Sequence, residues 1–283
     1  MNNKNKGANM DFQKFDKDLK KFEKNCEKGN LVEVDKFIKL YNKDSTKEEV
    51  NSKINLAFDS SCKSGKIELV KYFKEYGVSI DSRGKWGLEQ ACNNGHLEVV
   101  KYLLDNGANT YDYGAWGINS GLQNACRNGH IEVVKYLVEQ GANIHEGHSH
   151  APFPSACRSG NLEIIQYLEQ QGLNVHEQVN SNFPEVCRYG YIEIVRYLVE
   201  NDADIHTKDD SGLKEAALIK RTEIVDYLLI DKNMKVSLDT KKWLLENNCD
   251  YALKVLERRD MAHDLEKSLA VKPNLSQERK LKI

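Results

Sequence analysis

Proline is scarce in this chain, four in 283 residues, and the mean hydropathy is negative at -0.64, which together suit a water-facing, helix-rich protein. No apolar run approaches the ~18 residues that a membrane helix needs. The opening stretch, "MNNKNKGANMDFQKFDKDLKK", lacks the apolar core of a secretory signal. Neither sign of charge dominates: 41 Lys and Arg stand against 43 Asp and Glu, a formal net charge of -2. That balance excludes the global basic excess with which a protein grips nucleic acid. Seven cysteines is an odd number. Without an export signal, the expectation is a reducing, intracellular compartment, cytoplasmic or nuclear, and free thiols.

What the chain does have is internal repetition, and a period of this length decides the fold before any other feature. Aligned on one glutamate, the copies place Glu33, Glu68, Glu98, Glu132, Glu163, Glu193 and Glu223 at spacings of 35, 30, 34, 31, 30 and 30 residues. Four residues after each stands an aromatic: Phe37, Tyr72, Tyr102, Tyr136, Tyr167, Tyr197 and Tyr227. Three residues before the first six stand Gly29, Gly65, Gly95, Gly129, Gly160 and Gly190. Each unit reads as two short helices. In "HIEVVKYLVEQG" the residues Ile131, Val134, Leu137 and Val138 recur at helical spacing, and Val133 widens the stripe. Asn30, Asn161, His96 and His130 stand where an N-cap belongs, and Gly77, Gly107, Gly141 and Gly172 where the helix ends. The first helix, as in "LQNACR", reads as barely two turns. Helices this short do not persist alone, so each must bury its stripe on the next unit in a solenoid.

The phrase "ACRNGHIEVVKYLVEQGANI" resembles the core of an ankyrin repeat, with its glycine-histidine turn, paired hydrophobics and closing glycine-alanine. The likeness covers roughly residues 15–257. The "VVKYL" phrase and the asparagine-rich ends look most like ankyrin-repeat proteins of giant amoeba-infecting DNA viruses. The resemblance implies an all-α solenoid of paired antiparallel helices with finger loops, about seven repeats and a degenerate C-terminal cap. Its bounds are expected at 12–262, after a disordered 1–11 and before a basic, flexible tail at 263–283. The family's Thr-Pro-Leu-His opening of the first helix is absent; "WGLE", "SGLQ", "APFP", "SNFP" and "SGLK" take its place. Some other hydrogen-bond network must replace the one that motif supplies.

The resemblance also implies function: a non-catalytic, monomeric scaffold that binds a partner protein, a host factor if the chain is viral, on a concave face of fingers and short helices. No cofactor, nucleic acid or membrane is expected. Two fingers carry tryptophan in one register, "RGKWG" with Trp86 and "YGAWG" with Trp116, and Tyr111 and Tyr113 flank the second. Large exposed aromatics are the usual anchors of an interface. His145, His176 and His206 align as a finger column, expected to face the partner. "HEGHSH" brings His145, His148 and His150 close enough for a weak metal site. A pliable, solvated finger tip is the plainer reading. An adaptor delivering its partner to ubiquitin ligase machinery is the alternative function, although the tail resembles no recruiting box. Finally, Cys26, Cys62, Cys92, Cys126, Cys157 and Cys187 share one repeat position, and Ala217 fills it in the seventh copy. Equivalent positions about 10 Å apart are beyond disulfide reach, so the slot reads as a packing seam.

Overall fold

The computed structural model describes residues 12–41, 47–108, 117–145 and 151–270, and every regular element among them is helical. The expected disordered 1–11 lies outside these residues, as does 271–283 of the expected tail. Two compact units divide after Gln171.

In the first unit five helix pairs follow one another. They are α1 (Phe12–Lys28) with α2 (Leu31–Tyr41), α3 (Lys47–Lys63) with α4 (Ile67–Tyr76), α5 (Ile80–Asn93) with α6 (Leu97–Asp105), α7 (Ile118–Asn128) with α8 (Ile131–Glu139), and α9 (Pro152–Ser159) with α10 (Leu162–Gln170). First helices pack on first helices, α1 on α3, α3 on α5, α5 on α7 and α7 on α9. Second helices do the same from α2 through α10. The second unit pairs α11 (Val175–Tyr189) with α12 (Ile192–Glu200), α13 (Thr207–Leu218) with α14 (Thr222–Asp226), and α15 (Leu238–Glu246) with α16 (Asp250–Ala270). A π-helical turn, Tyr227–Asp231, extends α14. The helix α16 runs eight residues into the stretch expected to be tail, and in α15 Leu238 and Leu245 are exposed.

The core is the sum of the stripes that the periodicity picks out. Val99, Val100 and Leu103 of α6 and Val133, Val134 and Leu137 of α8 are buried, as are Leu88, Ala91, Leu122 and Ala125 of the first helices. At about 25 cal/mol per Å² of apolar surface, this burial is the term that stabilises helices too short to stand alone.

Three local expectations change. The first helices are longer than two turns in α1, α3, α5, α7 and α11, at 17, 17, 14, 11 and 15 residues. The expected finger at 83–87 is therefore part of α5, and Trp86 is a helix residue. Nothing in "IDSRGKWG" forces a stop, whereas Pro152 at the first position of α9 fits a start there and that helix has only 8 residues. Proline also sits inside α11, where Pro184 has no N–H for the Asn180 carbonyl. That oxygen accepts the Thr207 hydroxyl at 3.3 Å. Second, Asn30 and Asn161 do cap, accepting from the Glu33 and Ile164 amides at 3.3 and 3.2 Å, but His96 and His130 make no capping bond. Third, the network standing in for the missing Thr-Pro-Leu-His motif is visible. Asn119 Oδ1 accepts from Asn143 N at 2.9 Å, and Asn180 Oδ1 accepts from Asp204 N at 2.8 Å, one per unit in the same register.

Candidate partner-binding surface

The histidines that do not cap hold the repeats together. His96 Nε2 lies 2.9 Å from the Lys63 carbonyl, and His130 Nε2 lies 3.1 Å from that of Asn93. A carbonyl only accepts, so the proton sits on Nε2. Each acceptor is the last residue of the preceding first helix, where carbonyls have no partner inside the helix. Asn161 Nδ2 reaches the Gly129 carbonyl at 3.3 Å in the same way, and Arg221 Nε reaches that of Arg188 at 3.1 Å in the second unit. The turn glycine is needed for this twice over. Gly65 and Gly95 have φ of 70° and 75°, and a Cβ there would lie 2.5 and 2.6 Å from Nδ1 of His96 and His130.

The cysteine slot is indeed a contact between repeats. All seven thiols are free and buried. A Cβ on Gly87 would lie 2.9 Å from Cys62 Sγ, one on Gly121 3.0 Å from Cys92 Sγ, and one on Gly212 3.1 Å from Cys187 Sγ. Burial pushes the Cys26 thiol up to about 12, and those of Cys62, Cys92, Cys126 and Cys187 higher still. Such thiols are poor nucleophiles and poor metal ligands.

With the seam facing the next repeat, each first helix presents residues at spacings of four and three to solvent. In α3 these are Leu56, Ser60 and Lys63, in α5 Trp86, Gln90 and Asn93, and in α7 Asn124 and Arg127 follow the buried Ser120. Arg158, in the last turn of α9, is exposed as well. Leu56 and Trp86 are 57 % and 58 % exposed, and they hold the same register on adjoining helices. Neither α7 nor α9 contains an Asp or Glu. The second-helix face is different, because its charges are spent on one another. Glu98 pairs with Lys101 at 3.1 Å, Lys135 pairs with both Glu132 and Glu163 at 3.4 Å, and Tyr72 Oη donates to Asp35 at 2.8 Å.

The other sequence candidates fall variously. Tyr111, Tyr113, Trp116, His148 and His150 lie outside the described residues. His145 is exposed, and its amide donates to Asn143 Oδ1 at 2.9 Å. His206 repeats that turn in the second unit, donating to Asp204 Oδ1 at 2.9 Å, while its Nδ1 lies 2.7 Å from the buried Asp210 carboxylate. Lys208, Asp209 and Asp210 all have left-handed φ, held by bonds such as Lys208 Nζ to the Ser181 carbonyl at 2.9 Å. His176 is exposed on α11. Among the described residues no three His, Cys, Asp or Glu side chains come together as a metal site. No helix among them is long and apolar enough to cross a membrane. A cleft of about 160 Å³ between α1 and α2, floored by Phe22, Phe37 and Tyr41, is smaller than the ~300 Å³ at which ligand sites begin. Leu56, Lys63, Arg127 and Arg158 were not singled out by the sequence reading. Their common signal is register, since Lys63, Arg127 and Arg158 each directly follow the seam cysteine.

Comparison with known proteins agrees with this geometry. Residues 88–138 match a family model described as ankyrin repeats in many copies, 115–179 one of ankyrin repeats in three copies, and 185–210 one of the single ankyrin repeat. No curated protein matches the chain. The crystal structure of the human ASB11 ankyrin repeat domain superposes with a TM-score of 0.52 at 23% identity, over 67% of this chain and 96% of that one. The stacked helix pairs thus have the ankyrin-repeat fold, and residues 88–179 and 185–210 are similar in sequence to ankyrin repeats.

Proposed function

We propose that this chain is a non-catalytic scaffold that binds a partner protein on the face of its first helices. Ankyrin repeats generally mediate protein–protein interactions. The observation that carries the assignment to this face is the exposure of Trp86 beside Leu56, since large side chains are costly to leave in water and are typical interface anchors. Rigid presentation is the mechanism. The histidine and asparagine bonds between repeats and the buried seams fix the first helices, so little ordering cost remains at binding. Tyr111, Tyr113 and Trp116 are proposed as further anchors, and His145, His176 and His206 as polar contacts. In this reading the chain acts as a monomer in the cytoplasm or nucleus, and the likeness to giant-virus repeats makes a host factor the partner class. A photo-crosslinking amino acid at position 86, compared with one at position 101 on the second-helix face, tests the assignment. The first should yield a discrete crosslinked partner in cells and the second none; equal yields would remove the first-helix face from the account.

A further inference from the structure

Resting on that reading, we infer that the partner segment is acidic: a stretch of about eight to ten residues with a bulky apolar side chain near one end and carboxylates toward the other. The observations are the distribution of charge and of apolar surface on the first-helix face. Leu56 and Trp86 stand exposed midway along α3 and α5, and Lys63, Arg127 and Arg158 stand exposed in the last turns of α3, α7 and α9. Lys63 and Arg127 make no ion pair among the described residues. A basic residue in the last turn of a helix meets the negative end of its dipole, which explains one such charge per helix. It does not explain why α7 and α9 carry no carboxylate at all while the second helices α6, α8 and α10 each carry glutamate in the first turn. Two carboxylates lie near the apolar side chains, Asp59 and Glu89, each three residues after Leu56 or Trp86; both are half-buried, and Glu89 accepts from Ser120 Oγ of the next repeat at 2.8 Å.

The spans agree. Seven residues of helix separate Trp86 from the basic register by about 10 Å, and the register itself runs three repeat steps from α3 to α9, about 30 Å across the stack. An extended segment of ten residues covers about 33 Å. Arginine at two of the three basic places favours carboxylate recognition by paired N–H donors.

The test is fluorescence anisotropy with the full chain. The probe is a labelled ten-residue peptide with one Phe near one end and five Glu toward the other. Its controls are the same peptide with Lys in place of Glu and a single-stranded oligonucleotide. The acidic peptide should bind. Affinity should fall at least tenfold in the Lys63→Glu/Arg127→Glu double variant, and severalfold in Arg127→Gln, which introduces no new charge. Trp86→Ala should also weaken binding, and Lys101→Glu should not, with circular dichroism unchanged throughout. Three results would overturn the inference: binding indifferent to the reversals, no binding of the acidic peptide, or displacement of that peptide by the oligonucleotide. If the Lys peptide binds instead and is lost in Trp86→Ala, the face remains a docking surface and only the acidic partner fails.

Discussion

Gly95 and His130 show how one residue in a repeat is dictated by another residue a repeat away. The left-handed φ of 75° alone disfavours any side chain by about 1–2 kcal/mol. The imidazole of His130 then occupies the space a Cβ would fill, 2.6 Å away, while its Nε2 satisfies the end of α5. Gly95→Ala is therefore expected to cost about 2–3 kcal/mol in urea unfolding. Adding His130→Ala should recover part of that loss, because the clash term disappears; a strictly additive double variant would show that strain is the whole effect. The degenerate seventh copy makes the converse case. Lys220 keeps the left-handed turn at φ 60°, and the following repeat offers Cys249 where earlier ones offer a side chain that reaches back. Lys220→Gly should stabilise the protein by about 0.5–1 kcal/mol, read as a higher urea midpoint at constant slope.

At the scale of the element, the seam joins first helices through a thiol on one and a glycine on the next, as Cys62 does with Gly87. This also explains where the sequence misleads. The stretch "RGKWG" reads as a finger, yet Gly87 is helical and small because Cys62 Sγ approaches it. Periodicity revealed the pairs, their turns and the cysteine slot, because those follow from short-range geometry repeated many times. The job of His96 and His130 was not legible, since a residue at a cap position looks the same whether it bonds its own helix or its neighbour's. The seam has a pH signature. Thiols held above their usual pKa by burial contribute stability that is fully present below about 8.5 and is lost as pH rises past it, when only the unfolded chain ionises. The urea midpoint should hold to about pH 8 and fall by pH 9.5, and a Cys92→Ala/Cys126→Ala variant should fall less steeply. A native protein whose thiols react fully with a thiol reagent at pH 8 would refute the buried seam.

At the scale of the molecule, the net balance hides α7 and α9, first helices with a basic residue in the last turn and no Asp or Glu. A formal charge of -2 conceals second helices whose lysines and glutamates pair, and a first-helix face in the first unit where, among the described residues, Lys63 and Arg127 do not. Composition correctly argued against a globally basic protein and could not show a local basic register, because that emerges only when equivalent residues are stacked. The same stacking sets Leu56 and Trp86, both exposed, in one register on the adjoining α3 and α5. The central claim, that this face takes the partner, is tested most directly by the affinity of Trp86→Ala for the partner crosslinked at position 86, measured with the thermal midpoint of the same sample. The account predicts at least a tenfold weaker Kd, about 1.4 kcal/mol, with the midpoint unchanged. Unchanged affinity, or a collapse of the midpoint that makes Trp86 a core residue, would contradict it.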